Sequence, residues 1–97
     1  MANAYLVAVY KKVIDQEKMQ NYGADALPAM MANGWKKLHA RGTNITQIEG
    51  IPSERTVILV FESVEAAQKA YDSKDYQAAL KKLDGGADRF LFVIEGA

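Results

Sequence analysis

Three stretches of the chain are apolar at odd and even positions alike, a pattern typical of strands that are buried on both faces. They are also rich in β-branched and aromatic residues, which favour the extended conformation. We therefore predict strands at residues 4–13 (AYLVAVYKKV), 55–62 (RTVILVFE) and 90–96 (FLFVIEG).

A fourth stretch, residues 35–49, alternates between apolar and polar positions and predicts an edge strand with one polar face. Strict alternation places Leu38 and Ala40 on the apolar face. Gly42 inside this strand indicates a bulge or a bend. The polar face is then expected to carry three basic side chains: Lys37, His39 and Arg41.

Helical spacing of apolar residues fills the two longer gaps between the strands. In the first gap Asp15 is a good N-cap and Gly34 a natural stop, while Pro28 is expected to kink the helix or to start a new turn. In the second gap Ser63 caps a helix, and a second cap at Ser73 restarts it.

The resulting order, βαββαβ, predicts an α+β fold with a ferredoxin-like antiparallel sheet. Strands one and three take the centre of this sheet, and two helices cover one of its faces. We expect residues 1–97 to form a single domain.

Two helices cover only one face of a sheet, whereas the first, third and fourth strands are apolar on both faces. Phe90, Phe92 and Ile94 cannot all be buried in a monomer if Leu91 and Val93 are buried too. The simplest cover for the bare face is a second copy, sheet against sheet. We therefore predict a homodimer that forms an α+β barrel.

Composition excludes several classes of partner. Twelve basic residues balance twelve acidic ones, so no net field attracts nucleic acid. No run reaches the roughly 18 apolar residues of a membrane span. Since cysteine is absent, a reducing compartment is the natural fit, and we predict a cytoplasmic protein without nucleic-acid or membrane partners.

The same order of elements also occurs in RNA-recognition modules. Those modules need aromatic platforms and a basic-glycine-aromatic signature on the third strand, where this chain has RTVILVFE, so we reject that interpretation. An amino-acid-sensing regulatory module has the same order of elements and remains open.

Several short motifs carry a family resemblance that covers essentially the whole chain. They are Asp15-x-Glu17 with Tyr22, Arg41-Gly42, Glu49-Gly50, Arg55 before a strand that ends Phe61-x-Ser63, YDSKDYQ at residues 71–77, and Glu95-Gly96. With these motifs the chain resembles the domain of unknown function 1330 (DUF1330) family of the dimeric α+β barrel superfamily. The resemblance implies a dimeric barrel but no agreed reaction. Related families include cofactor-free monooxygenases, lactone isomerases and haem enzymes, an analogy at the level of the fold.

The chain also departs from the pattern of that family. An acidic position near the end of the third strand is Val60 here, and an arginine usual in the second helix is absent, with Lys81 and Lys82 nearby. If those positions belong to a family site, that site is altered in this chain. The other departures are Gln16 for proline, Ala70 for tryptophan and Trp35 for glycine.

His39, the one histidine of the chain, is the candidate for proton transfer, because its ordinary pKa lies near neutrality. With Lys37 and Arg41 it would form a positive patch suited to a carboxylate or an enolate. The alternative is a surface imidazole on a solvated edge strand. A lone histidine without further ligands at metal spacing is poor evidence for a metal, so we predict no metal and no cofactor.

Arg41 and Arg55 are stronger candidates, because a guanidinium binds a carboxylate through two parallel hydrogen bonds. Their alternative role is structural, for example an ion pair from Arg41 to Glu49 or Glu62. Either role fixes the geometry of the strands that carry them.

Tyr71 and Tyr76 bracket the helix restart in YDSKDYQ and are candidates to hydrogen-bond a ligand at the mouth of a cavity. The alternative is that the motif only caps a helix through Asp72, Ser73 and Asp75.

These candidates support two functional hypotheses. The first is a small cofactor-independent enzyme, monooxygenase-like or isomerase-like, that acts on an aromatic or unsaturated acid. In it Arg41 and Arg55 hold charge, His39 moves a proton, and Tyr71 or Tyr76 orients the substrate. The second is a non-catalytic homodimeric module that binds a small ligand or only stabilises an assembly.

Overall fold

The computed structural model describes residues 3–50 and 52–97, and places them in the order β-α-β-β-α-α-β. The first two residues of the predicted domain lie outside the described residues. The elements are β1 (Ala4–Val13), α1 (Gln16–Ala32), β2 (Lys37–Gly42), β3 (Arg55–Phe61), α2 (Val64–Asp72), α3 (Lys74–Leu83) and β4 (Ala87–Glu95).

Within the described residues the strands form one antiparallel sheet in the order β2-β3-β1-β4, which confirms the predicted topology. β1 is central and pairs with β3 on one side and β4 on the other. Leu6, for example, lies between Leu59 of β3 and Val93 of β4. The predicted α+β, ferredoxin-like fold class is therefore confirmed.

The polar second strand is much shorter than predicted, and the side chains after its bulge face the opposite way from the prediction. β2 ends at Gly42, and the bulge lies at His39, between the pairs Leu38–Leu59 and Ala40–Ile58. A bulge adds one residue to one strand and reverses the facing of the residues after it. Arg41 consequently pairs with Val57 and shares its face, so the prediction that Arg41 lies beside His39 is wrong. Ala40 pairs with Ile58, whereas Leu38 pairs with Leu59, so the prediction that Leu38 and Ala40 share one face is wrong as well.

The helices begin at the predicted caps. The side chain of Asp15 accepts a hydrogen bond from the backbone N–H of Lys18, and Ser63 and Ser73 cap α2 and α3 in the same way. Pro28 lies inside α1 without ending it. The second helical segment breaks at Ser73, so it forms two helices, as the predicted restart requires.

The two faces of the sheet differ sharply in burial. The even residues of β1 pack under the helices, where Leu59, Phe61, Tyr76 and Leu83 complete the core. The other face stays open and apolar: Phe90 is 57%, Phe92 46% and Ile94 55% exposed in the single chain.

The helices differ in how they lie on the sheet. α1 packs closely against α3, while α2 lies close to β1 and β4. Among the residues described here, no helix is both long and apolar enough to cross a membrane.

Candidate functional site

A cavity of about 70 Å³ lies between α1 and the helix-covered face of the sheet. Small residues on both sides leave room for this cavity. Ala8 of the central strand β1 lines it from the sheet, and Gly23 and Ala26 line it from α1. Since a buried water needs roughly 10–15 Å³ by the same measure, this space holds about five waters or a small organic molecule.

The three arginines of the chain, Arg41, Arg55 and Arg89, all line this cavity, which we call the arginine cavity. No aspartate or glutamate is among its described lining residues. Nor does any of the three arginines form an ion pair with a carboxylate in the described part of the chain, so the predicted pairs of Arg41 with Glu49 or Glu62 are not found. A partly buried cation without a counter-ion is unfavourable unless something compensates its charge.

The sheet register explains why these side chains meet. Tyr10 pairs with Arg55 on β3 and with Arg89 on β4, so the three form one row across the cavity floor. The next row is apolar except for Arg41, which pairs with Val57 at the β2 edge. The bulges of β1 after Tyr10 and of β2 at His39 lie beside these rows, and such bulges commonly redirect side chains next to functional sites.

Arg89 is held by three phenols. Its Nη1 donates to the hydroxyl of Tyr10 at 2.9 Å and to that of Tyr22 at 3.0 Å, and its Nη2 donates to Tyr76 at 3.1 Å. The hydroxyls of Tyr22 and Tyr76 share a hydrogen bond of 2.7 Å. The guanidinium carbon also lies 5.4 Å from the ring centre of Tyr10 and 5.0 Å from that of Tyr22, within cation–π range.

The cluster of Arg89 with the phenols of Tyr10, Tyr22 and Tyr76 has hydrogen-bond donors left for a ligand. Each phenol oxygen accepts from Arg89, and one O–H is used between Tyr22 and Tyr76. The O–H of Tyr10 and one further O–H have no acceptor among the described residues. Since a guanidinium and a phenolic O–H are both donors, the cluster presents donors and positive charge to the cavity.

Burial and the neighbouring groups together set the ionisation of Tyr22 and Arg89. Burial, followed by the neighbouring Tyr76, raises the pKa of Tyr22 well above its ordinary value of 10.0, although Arg89 opposes the shift. Burial works against the charge on Arg89, but the surrounding phenol oxygens outweigh it and the pKa of Arg89 lies above its ordinary range. At neutral pH Tyr22 is therefore neutral and Arg89 is a cation.

Arg55 is the second anchor point. Its Nε is buried and has no hydrogen-bond partner among the described residues. A buried donor left unpaired costs roughly 1–3 kcal/mol, so this N–H is expected to meet a ligand oxygen or a water. Arg41 is more exposed and lines the cavity from the β2 edge.

The remaining predicted site residues lie outside the arginine cavity. His39 is exposed, and its ring centre is 5.9 Å from that of Tyr5, on the open face of the sheet. Tyr71 lines a separate groove beside α2 and β4, and its ring lies 5.2 Å from that of Tyr76. The structure thus places Arg41, Arg55 and Tyr76 together, and His39 and Tyr71 elsewhere.

Sequence reasoning missed Arg89 and Tyr10, and gave Tyr22 no role in the site. Arg89 lies in DGGADR, a segment typical of a helix end, and the predicted fourth strand starts at residue 90 rather than at Ala87. The usable signal was the antiparallel register: once β1 is central, Tyr10 lies between the start of β3 and the start of β4.

Among residues 3–50 and 52–97, no three His, Cys, Asp or Glu side chains group closely enough to hold a metal ion.

Comparison with solved structures supports the fold. A protein of unknown function from Rhodopseudomonas palustris superposes with a TM-score of 0.76 at 17% identity, over 99% of this chain and 83% of that one. The cofactor-independent oxygenase SnoaB from Streptomyces nogalater gives 0.73 at 9% identity, over 100% and 95%. A dimeric ferredoxin-like protein of unknown function from Thermobifida fusca gives 0.66 at 16% identity, over 97% and 91%. At these identities the likeness establishes the fold alone.

Comparison of sequences identifies the family. Among curated proteins none matches this chain significantly. The family model described as domain of unknown function (DUF1330) matches residues 3–97, nearly the full length, in agreement with the resemblance carried by the motifs. The chain therefore belongs to the DUF1330 family.

Proposed function

We propose that this protein binds a small organic acid in the arginine cavity. One observation carries the proposal: three arginines line an apolar cavity that has no carboxylate among its described lining residues. An anionic ligand supplies the missing counter-charge. A carboxylate also fits the bidentate donor geometry of a guanidinium.

The cavity has two chemically different ends, which orients the ligand. The row of Arg55, Tyr10 and Arg89 forms the polar end, where the acid group would accept from Arg55 and from the free phenolic O–H groups. Leu27 and Met30 on α1 line the apolar end, together with Leu6 and Leu59 from the sheet. A monocarboxylate with one apolar body therefore matches the cavity.

A catalytic role in this cavity rests on stabilising an oxyanion. Arg89 and its phenols place positive charge and donors where an enolate or phenolate oxygen would develop, as an oxyanion hole does. The likeness of fold to a cofactor-independent oxygenase favours this class of chemistry. Since His39 lies on the opposite face of the same sheet, we do not assign it proton transfer within one chain.

The second candidate is a non-catalytic module that binds the same class of acid. The described cavity lining contains no histidine, aspartate or glutamate to serve as a general base, and this favours binding without turnover. An enzyme and a binding module would bind the same class of acid, but only the enzyme would convert it to a product. Mass analysis of a benzoate-class acid after incubation with the protein in air distinguishes them.

We further propose that the chain forms a homodimer through the open face of the sheet. Phe90, Phe92 and Ile94 expose an apolar surface of the kind that marks an interface. The similar protein from Thermobifida fusca is described as dimeric. The cytoplasmic location remains a prediction from composition.

Benzoate is a suitable probe for acid binding, because it joins one carboxylate to one apolar ring. Isothermal titration should detect benzoate but neither benzamide nor benzyl alcohol, which have the ring without the charge. Arg55→Gln should weaken benzoate at least about tenfold, the equivalent of about 1.4 kcal/mol. Lys69→Gln, which removes an exposed positive charge from α2, is the matched control and should leave the affinity unchanged.

Equal affinity for benzoate and benzamide would contradict the charge-based part of the proposal. Full retention of benzoate binding in Arg55→Gln would contradict the role of Arg55 as an anchor of the acid group.

A further inference from the structure

Gly23 stands in the interior of α1, where glycine is unfavourable. The helix runs from Gln16 to Ala32, so Gly23 has helical turns on both sides. A glycine at such a position destabilises a helix by roughly 1 kcal/mol relative to alanine. Its presence therefore calls for a reason other than helix formation.

Backbone conformation does not supply that reason. Gly23 is not among the glycines with positive φ in the described chain, which are Gly34, Gly42, Gly50 and Gly85. Close packing does not supply it either, because a Cβ built at Gly23 meets no heavy atom within 4 Å apart from the adjacent backbone of its own helix. An alanine would fit at this position without steric conflict.

The surroundings of Gly23 supply the reason. Met19 and Leu27 lie one turn before and one turn after it, on the same side of α1, and all three line the arginine cavity. Gly23 therefore borders the cavity, and a Cβ at this position would meet open space. The buried, unpaired Nε of Arg55 in the same cavity points independently to a ligand there.

We infer that Gly23 determines which organic acids the arginine cavity admits. Its missing side chain leaves room for the body of the ligand, on a scale that suits a single ring or a short branched chain. This inference rests on the proposed acid binding. It adds that glycine at this position makes α1 less stable and leaves room for a ligand that carries an apolar body beside its carboxylate group.

The test compares a large and a small probe in two variants. In Gly23→Leu benzoate binding should fall by about a hundredfold or more, whereas acetate should shift the arginine side-chain N–H signals in NMR spectra of this variant and of wild-type protein alike. Gly23→Ala should weaken benzoate by about tenfold and raise the melting temperature, because it is the better helix former. The smaller change keeps the test valid if Gly23→Leu fails to fold.

Ala24→Leu is the matched control, since it adds the same side chain to the neighbouring, exposed position of α1. It should bind both acids as wild-type protein does. Unchanged benzoate affinity in Gly23→Ala and Gly23→Leu would overturn the inference while leaving acid binding intact. If wild-type protein binds neither acid, the proposed function fails, and the role of Gly23 fails with it.

Discussion

At the scale of single residues, the unusual feature is a partly buried arginine held by phenols rather than by a carboxylate. Arg89 donates to Tyr10, Tyr22 and Tyr76, all neutral acceptors, so its charge is not cancelled by any described residue of the chain. Neutral phenols satisfy the donors of the guanidinium and leave its charge available. This is the arrangement that an anion-binding site requires.

The first prediction concerns Tyr22, whose protonated form is stabilised by burial. Its pKa in the folded protein is raised above the unfolded value of 10.0, so its contribution to stability is present below about pH 10 and is lost as the pH rises further. Above that pH the free energy of unfolding should fall by up to roughly 1.4 kcal/mol per pH unit from this group. Denaturant unfolding at stepped pH values measures this slope.

Tyr22→Phe provides the control for this prediction, because it removes the phenol and keeps the ring. The slope above pH 10 should then be smaller than in wild-type protein. In an absorbance titration of phenolate, folded wild-type and variant proteins should give equal signals near pH 10. A signal smaller by about half a phenolate in the variant would show that Tyr22 ionises with its ordinary pKa of 10.0.

At the scale of secondary-structure elements, the break between α2 and α3 positions Tyr76. The hydroxyl of Ser73 accepts from the backbone N–H of Tyr76 at 3.2 Å and donates to the carbonyl of Ala70 at 2.7 Å. One side chain thus closes α2 and opens α3. The phenol of Tyr76 then lies in the first turn of α3, within reach of Arg89.

The second prediction concerns that cap. Ser73→Ala should lower the free energy of unfolding by about 1 kcal/mol, because it removes the N-cap of α3. It should also weaken benzoate binding, since Tyr76 loses its backbone anchor. Chemical denaturation and titration measure the two effects.

Ser53→Ala is the control for the cap, because no side-chain hydrogen bond of Ser53 is found among the described residues. It should change neither quantity. Equal losses in both variants would contradict a specific role for Ser73.

The elements also show how far the sequence predicts the site. The order of strands, the caps at Asp15, Ser63 and Ser73, and the open apolar face all follow from local patterns. The bulge at His39 does not, because no glycine marks that position, and strict alternation therefore put Arg41 on the wrong face. The meeting of side chains from β1, β3 and β4 depends on register, which a single strand does not reveal.

At the scale of the whole molecule, the two faces of the sheet differ in what they contact. The helix-covered face holds the core and the arginine cavity, while the open face presents aromatic and β-branched side chains. If the open face is an interface, the arginine cavity lies on the other side of the sheet and each protomer has its own. Acid binding and dimer formation can then be tested separately.

The third prediction is that the open face forms the dimer. Phe92→Lys should raise the Kd of the dimer by about thirtyfold or more, because a charge at the centre of an apolar interface costs at least about 2 kcal/mol. Sedimentation velocity over a range of concentrations measures the change. Ile48→Lys alters a large apolar residue that is 88% exposed outside the strands, and it should leave the dimer intact.

A monomeric wild-type protein would contradict this account of the open face. An equal effect of the two lysine substitutions would contradict it as well.

The central claim, an acid held between α1 and the sheet, is tested most directly by isotope-filtered NOE spectra of labelled protein with unlabelled benzoate. We predict contacts from the ring protons of benzoate to the methyl groups of Leu27, Met30 and Leu59, all of which line the arginine cavity. Contacts to Val7, Val9 and Ile58 on the open face instead, or no contacts at saturating benzoate, would contradict the claim.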